Sequence, residues 1–218
     1  MIIEGLLTTT TVDGTPHMAP MGPLVDVELK NWTLRPFSSS NTFRHLQSNP
    51  HCVFHVIDDV VPLVEAALGL PTSLSFELLQ RDVNGEFETF ATAEREKSPP
   101  SLDSDASSLQ SCYAGNVWTI PSACHWYHLI VTDWDTSEPR TLAKALLLSR
   151  HVQRPFWGWN RAKHAVMEAA ILATRYHLVP HTEIEGDLQR LEQVVHKTAG
   201  ERELHAWHLL KDFFQANS

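Results

Sequence analysis

The 218-residue chain is 43% hydrophobic and 20% charged, a composition typical of a globular protein with one large domain or with one domain and a substantial appendage. No apolar run approaches the roughly 18 residues that a membrane-spanning helix needs, and the first residues lack the basic start and cleavage site of a secretory signal, so we expect a strand there and not a signal peptide. The net charge is −9, with −11 in residues 1–140 and +2 in residues 141–218, and so acidic a front half argues against binding to nucleic acid or to an anionic membrane surface.

The first half of the chain is predicted to be mostly strands. Its β-prone runs alternate with turn signals, and two stretches have helical spacing. The predicted elements are a strand at 2–12, a hairpin turn at Asp13-Gly14, a strand at 31–37, a helix at 40–50 capped by Ser40 or Asn41, a strand at 51–58, a helix at 58–69, a hairpin at 74–94 over Asn84-Gly85, a polar loop at 98–111, and one long strand or a pair of strands at 115–134.

The last third of the chain is predicted to be helical. Helices are expected at about 138–153, 159–178, 183–198 and 201–215, with Gly200 between the last two. Thr182 and Glu185 have the spacing of a capping box before the third of them. Strands followed by helices indicate an α+β protein, with a β-barrel or sandwich over residues 1–137 and a C-terminal helical domain over residues 138–218.

The segment TVDGTPHMAPMGPL, residues 11–24, carries three prolines where the second strand of a hairpin is expected. Proline cannot donate a ladder hydrogen bond, so this strand lies at a sheet edge or lines an opening. Ala19 and Gly22 would let a flat ligand approach the backbone, and Met18 and Met21 would make adaptable contacts with a ring. Equally, the segment could be an irregular edge strand whose prolines prevent aggregation.

The segment LRPFSSSNTFRHL, residues 34–46, places an arginine and several hydroxyl side chains at the start of a helix. Unpaired N–H groups and the macrodipole favour an anion there, and Arg35 adds a forked cation. Ser38, Ser39, Ser40 and Thr42 could donate further hydrogen bonds, which would hold a phosphate group. The alternative is an ordinary serine-rich loop that caps a helix.

The segment RPFWGWNRAKHAVMEAAILATRYHL, residues 154–178, begins with aromatic and basic residues and continues as a helix. Because the helix is apolar nearly all round, we expect it to be buried in the assembly, where Glu168 would need a partner or a role. Trp157, Asn160, Arg161 and Lys163, with Trp159, could close over a ring and a phosphate. They could instead form a helix cap and an interface.

Several kinds of site are missing from the sequence. It has no glycine-rich nucleotide motif, no zinc-protease motif and no nucleophile elbow. None of its 13 histidines falls with a carboxylate at metal-ligand spacing, so no metal site is expected. Cys52, Cys112 and Cys124 are irregularly spaced and odd in number, which indicates reduced thiols and a cytoplasmic protein.

Three segments in this order resemble the domain-of-unknown-function family 447. They are LLTTTTVDGTPHMAPMG, LRPFSSSNTFRHLQSNPHCVFHVIDD and NRAKHAVMEAAILATR. Proteins of that family are similar to FMN-binding split β-barrels, the wider group of flavin reductases and pyridoxamine 5′-phosphate oxidase. The resemblance implies a split-barrel homodimer with FMN in a cleft between subunits.

The resemblance also implies roles for particular positions. Arg35, Ser38, Ser39 and Thr42 would meet the FMN phosphate, and the segment from His17 to Gly22 would lie along the isoalloxazine ring. His17 departs from the family, which more often has asparagine there. The candidate cofactor-binding residues are His17, Ala19, Pro20, Met21, Gly22, Arg35, Ser38, Ser39, Asn41, Thr42, Trp157, Asn160, Arg161 and Lys163.

Three functions are compatible with this sequence. The first is an FMN-dependent oxidoreductase that takes electrons from a reduced nicotinamide or flavin donor, with His17 and Glu168 as candidate catalytic residues. The second is a non-catalytic FMN-binding or carrier protein, and the third is a flavin-free interaction protein that kept the fold.

Overall fold

The computed structural model describes residues 1–79, 116–137 and 140–217. The chain forms two compact units. We call the first the barrel unit, and it comprises Met1–His55, Ser75–Pro121 and His125–Gln153. The second, the helical unit, comprises Val56–Leu74, Ser122–Cys124 and Arg154–Ser218. Within the described residues, no helix is both long and apolar enough to cross a membrane.

The barrel unit is built on an antiparallel sheet of seven strands among the described residues. The strand order is β2-β1-β5-β8-β9-β4-β3, and β6 and β7 form a separate pair. The strands are β1 (Gly5–Thr10), β2 (Pro16–Met21), β3 (Leu24–Val25), β4 (Asn31–Leu34), β5 (His51–Val56), β6 (Glu77–Leu78), β7 (Trp118–Thr119), β8 (His125–Asp135) and β9 (Leu142–Val152). Helix α1 (Asn41–Ser48) packs on β1 and buries Thr42 and Leu46.

The first residues of the chain close the sheet on itself. The Met1 amino group donates to the Val25 carbonyl at 2.8 Å, and the Val25 N–H donates back to Met1 at the same distance. The Ile3 N–H donates to the Pro23 carbonyl at 3.3 Å. These bonds join β3, at one end of the strand order, to the segment that enters β1, so the outer side of β2 is left as the open edge of the barrel.

The barrel core is dense around a group of aromatic side chains. The Trp32 ring lies 5.4 Å from the Phe54 ring and 5.1 Å from the Tyr127 ring, measured between centroids. Gly5 lies beside this group, and a Cβ atom there would be 2.3 Å from the His55 carbonyl oxygen. The close approach of β1 to β5 therefore requires glycine at this position.

The helical unit contains four α-helices among the described residues. They are α2 (Val61–Leu68), α3 (Arg161–Thr174), α4 (His181–Thr198) and α5 (Glu201–Ala216), with a 3-10 turn at Tyr176–Leu178. Helix α3 buries a stripe that includes Ala162, Ala165, Ala169 and Ala173. Small side chains at helical spacing let its neighbours α2, α4 and α5 pack closely against it.

Most of the predicted elements are confirmed. The Asp13-Gly14 hairpin, the helix capped by Ser40, the helix ending at Gly69 and the last three helices are all present. The stretch predicted at 115–134 forms two strands, β7 and β8. The Asn84-Gly85 turn, the loop at 98–111 and Cys112 lie outside the described residues.

The predicted helix over 138–153 is wrong, because residues 142–152 form strand β9. Its leucines and alanines favour a helix by propensity, but β8 and β4 pair with it on its two sides. Ala143 and Ala145 are buried while Leu142 and Lys144 are exposed, which is the alternation of a strand. The division of the chain into a barrel domain and a helical domain stays a proposal, in which these residues belong with the strands.

The predicted capping box at Thr182 and Glu185 is also wrong. Helix α4 already begins at His181, after Pro180, and no side chain caps it. The helix begins earlier because Pro180, whose φ angle of −57° is close to that of a helix, leads directly into its first turn.

We expect His55 to make folding sensitive to mild acid. The side chain is 0% exposed, and its Nε2 atom accepts the Ile120 N–H at 3.1 Å. Burial lowers its pKa to about 3, so below pH 6.5 the unfolded chain binds a proton that the folded chain does not. From pH 6.5 to 5 this linkage removes about 1.5 kcal/mol of unfolding free energy. Urea titrations of the wild type and His55→Gln measure it.

The glutamine variant should lose that part of the pH dependence, since its amide oxygen can accept the same N–H without titrating. His208→Gln, at an exposed position of α5, is the control for the substitution itself. Equal slopes in the wild type and His55→Gln would contradict the assignment.

Candidate functional site

Strand β2 is an edge strand, and two of the three prolines of the segment 11–24, Pro16 and Pro20, lie on it. Its register with β1 places His17 opposite Thr9 and Ala19 opposite Leu7. Successive N–H groups of a strand point to opposite sides, and Pro16 and Pro20 share the orientation that faces away from β1. Among the positions that face away from β1, Met18 and, just beyond the end of β2, Gly22 therefore still carry an N–H. The sequence prediction of an edge is confirmed.

Arg35 joins this edge to the serine-rich segment. Its Nη2 atom donates to the Gly22 carbonyl at 3.0 Å, so two segments singled out separately in the sequence are in contact. Its Nε atom is buried and makes no hydrogen bond to any described residue. A buried guanidinium donor without a partner costs free energy, and an anion or carbonyl oxygen would satisfy it.

The start of α1 lies a few residues beyond Arg35. Ser40 is its N-cap: the hydroxyl accepts the Phe43 N–H at 3.2 Å and donates to the Phe37 carbonyl at 2.7 Å. Ser38 and Ser39 are exposed, and Asn41 accepts a hydrogen bond from Arg44. Thr42 is only 4% exposed. The Ser40 hydroxyl therefore satisfies one N–H group of the first turn, as an N-cap does.

His17 belongs to a cluster that sequence reasoning missed. The Thr9 hydroxyl oxygen lies 3.2 Å from Nδ1 of His17 and 3.2 Å from Nδ1 of His45 on α1. Burial, and then the charge of His45, lower the pKa of His17 to about 4. His17 is therefore neutral near pH 7. The register of the hairpin was the available signal, because it sets Thr9 opposite His17.

The candidate residues of the helical unit have mixed surroundings. Asn160 is the N-cap of α3 and accepts from the N–H groups of Ala162 and Lys163, at 2.8 and 3.2 Å. Trp157 is 85% exposed, and Arg161 is exposed. In the single chain Glu168 is exposed, because the buried stripe of α3 covers only one side of the helix. The expected burial of this helix in an assembly stays a prediction.

The helical unit also holds an ionic pocket of about 340 Å³ that the sequence did not reveal. Its lining consists of three carboxylates, three cations and one tryptophan: Asp58, Asp59, Glu203, Arg154, Lys163, Arg202 and Trp157. Asp58 accepts two hydrogen bonds from the Arg154 guanidinium, which together with the Trp157 N–H bond lower its pKa to about 2. Arg202 pairs in the same way with Asp59.

Lys163 is held more loosely in this pocket. Its Nζ atom is 4.0 Å from Glu203, whose other carboxylate oxygen accepts the Gly200 N–H at 2.8 Å. Each cation of the pocket therefore faces a carboxylate, and the pocket has no net charge. Across the part of the chain that the structure describes, no group of three His, Cys, Asp or Glu side chains could hold a metal ion.

The described residues define an α+β protein whose barrel is a split β-barrel of the FMN-binding type, followed by C-terminal helices. The chain belongs to the family described as "Protein of unknown function (DUF447)". The model of the family's N-terminal domain matches residues 3–154, and a second model of the family matches residues 160–212. No functionally curated protein is significantly similar in sequence.

Solved structures agree with this fold. An FMN-bound DUF447 protein from Methanosarcina mazei is 18% identical, and the match covers 97% of this chain and 94% of that one, with a TM-score of 0.73. The styrene monooxygenase flavin reductase of Pseudomonas putida S12 is 12% identical over 69% of this chain and 81% of its own, with a TM-score of 0.42. The second similarity is too slight to carry an argument.

Proposed function

We propose that the chain is an FMN-binding flavoprotein that works as an oxidoreductase. The observation that carries the proposal is the contact between Arg35 and Gly22, which joins a helix N-terminus suited to a phosphate to an open strand edge suited to a ring. The FMN-bound state of the Methanosarcina mazei protein of the same family supports this choice of ligand.

The phosphate of FMN would be held by Arg35 and the start of α1. The buried Nε atom of Arg35 supplies a donor without a partner in the described part of the chain. Ser38, Ser39 and the N–H groups of Asn41 and Thr42 would supply the others. The Thr42 hydroxyl, being buried, would contribute less than the sequence suggested.

The isoalloxazine ring would lie along β2. Ala19 and Pro20 have small side chains, so a flat ring could approach the backbone of β2 closely. The Met18 and Gly22 N–H groups face outward and could donate hydrogen bonds to the polar side of the ring. Met21 is buried in the barrel unit, so it would contribute through its backbone. His17 would present a neutral imidazole, which can donate or accept a hydrogen bond.

FMN supplies the hydride and electron chemistry when it is bound, and the chain supplies position and electrostatics. The outward N–H groups at the β2 edge would stabilise negative charge that develops on a reduced ring. A reduced nicotinamide or a reduced flavin is the proposed donor. Glu168 is exposed within the chain, which leaves His17 as the stronger candidate for a catalytic group.

We also propose that the active form is a homodimer with FMN at the subunit interface. Phe156, Trp157 and Trp159 support this proposal because they are large aromatic side chains that reach solvent in the single chain. Asn160, Arg161 and Lys163 follow them at the start of α3 and would add polar and basic contacts to such an interface.

A non-catalytic FMN carrier is the second candidate, since the same residues would serve it. Adding FMN to the flavin-free protein at 100 times its Kd should raise the unfolding free energy by about 2.7 kcal/mol, and Tm by roughly 5–10 °C. Anaerobic NADH or NADPH should then bleach the bound flavin. A flavin that binds but is bleached by neither nicotinamide nor reduced flavin would favour the carrier.

The control for this experiment is riboflavin, which has the ring without the phosphate. It should bind more weakly than FMN if the phosphate contacts are real. The proposed function would be overturned if added FMN left Tm unchanged and the purified protein were colourless.

A further inference from the structure

A single hydroxyl group stands between two imidazole rings at the β2 edge. Thr9 on β1 is 2% exposed, and its Oγ1 atom lies 3.2 Å from the Nδ1 atom of His17 and 3.2 Å from that of His45. The two rings meet edge to face, with centroids 4.7 Å apart. The three groups thus form one continuous hydrogen-bonded chain across β2, β1 and α1.

The number of protons in this chain fixes the tautomers of the two histidines. A hydroxyl has one proton, so Thr9 donates to one Nδ1 atom and must accept from the other. Of two neutral imidazoles, one therefore carries its proton on Nδ1 and the other on Nε2. Within the described residues neither Nε2 atom makes a hydrogen bond, and neither is sealed from solvent. Both outer ends of this hydrogen-bonded series, the Nε2 atoms of His17 and His45, are therefore open to solvent.

We propose that Thr9 joins His17 and His45 into a two-state proton relay that serves the ring site at β2. The relay rests on the proposed function, because it needs a redox group that gains and loses protons beside His17. His45 and Thr9 would be positioning and relay residues, and His17 the residue nearest the proposed ligand.

Each passage along the relay takes up one proton at one end and releases one proton at the other. In the first state His17 donates from Nδ1 to Thr9, Thr9 donates to Nδ1 of His45, and His45 carries its proton on Nε2. A proton arriving at Nε2 of His17 breaks the N–H bond at its Nδ1. That proton passes to Thr9, the Thr9 proton passes to His45, and the Nε2 proton of His45 leaves to solvent. No electrons move.

The reverse movement delivers a proton at Nε2 of His17. Proton uptake accompanies the reduction of a flavin and proton release accompanies its reoxidation, so a full catalytic cycle would return the relay to its first state. A two-state relay therefore needs no separate step to reset it.

Burial, with smaller effects of neighbouring charges, keeps both rings neutral near pH 7. Burial lowers the pKa of His17 and of His45, and the charge of Arg44 on α1 lowers that of His45 further. On His17 the other ionisable influence is His45 itself. Below about pH 4, His17 would carry protons on both nitrogens, and the relay would hold only one state.

The test reads the tautomers by nitrogen-15 NMR in the FMN-free protein at pH 7. The wild type should show complementary tautomers, with the Nδ1–H fraction of one histidine matching the Nε2–H fraction of the other. Thr9→Val keeps the shape but removes the hydroxyl, and should shift both rings towards Nε2–H. Thr9→Ser should restore the complementary pattern. His17→Gln and His45→Gln assign the signals.

Nδ1–H fractions of the two rings that do not add up to one in the wild type, or unchanged tautomers in Thr9→Val, would overturn the relay. In the FMN-loaded protein, Thr9→Val should slow proton release on reoxidation by roughly 10²-fold or more relative to Thr9→Ser, and equal rates would also overturn the relay. A wild type that binds no FMN would overturn the proposed function instead, whereas complementary tautomers in that protein would still support the coupling of the two histidines.

Discussion

Replacing Arg35 with alanine is expected to raise the Kd for FMN by roughly 10- to 100-fold. A hydrogen bond to a charged group contributes about 1.5–3 kcal/mol, and every 1.4 kcal/mol is about tenfold in affinity. The Nε atom of Arg35 is buried and has no partner in the described residues, so a phosphate that reached the guanidinium would gain a charged hydrogen bond. Quenching of flavin fluorescence during a titration measures the change.

Riboflavin separates the two ways in which Arg35 could act. If the guanidinium binds the phosphate, Arg35→Ala weakens FMN but leaves riboflavin affinity unchanged. If Arg35 acts only by holding the Gly22 carbonyl, both ligands lose affinity equally. The control is Arg190→Ala, which removes an equal charge from the exposed side of α4. Unchanged FMN affinity in Arg35→Ala would remove the phosphate assignment.

Replacing Asp58 with asparagine is expected to lower the free energy of unfolding by about 2 kcal/mol. The Asp58 side chain is 7% exposed and neutralises Arg154, which is 35% exposed. Removing one partner of a buried pair commonly costs about 3–5 kcal/mol, and solvent at Arg154 reduces that cost here. Urea denaturation at pH 7 measures the loss.

The pH dependence of this effect has a definite sign. Hydrogen bonds from Arg154 lower the pKa of Asp58 from 3.8 to about 2. The contribution of the pair is therefore fully present above about pH 4, and it is lost as the pH falls towards 2. Asp187→Asn, in the exposed pair with Arg190, should change stability by less than about 0.5 kcal/mol. Wild-type stability in Asp58→Asn would contradict the role of the pair.

Local signals accounted for much of the fold. The turn at Asp13-Gly14, the N-cap at Ser40 and the C-cap at Gly69 each depend only on residues that are close in the sequence. Their positions can therefore be predicted from short segments. Strand β9 could not be predicted in this way. Its leucines and alanines suit a helix, and only pairing with β8 and β4, which its own sequence does not display, makes it a strand.

The same distinction holds for the candidate site. The serine-rich segment and the β2 edge could be named from the sequence, but their contact at Arg35 and Gly22 depends on the closure of the barrel. The pair of Asp58 and Arg154 joins residues 96 positions apart, so no local pattern could show it.

The spacing of Pro16 and Pro20 has a consequence for measurement. Pro16 and Pro20 face outward but have no amide proton. Hydrogen exchange along the open side of β2 would therefore report on Met18 and Gly22 and on no other residue from 16 to 22. These two amides should exchange rapidly in the free protein, while those of His17, Ala19 and Met21 are protected by β1. Slower exchange at both amides in the presence of a ligand would mark where it binds, residue by residue.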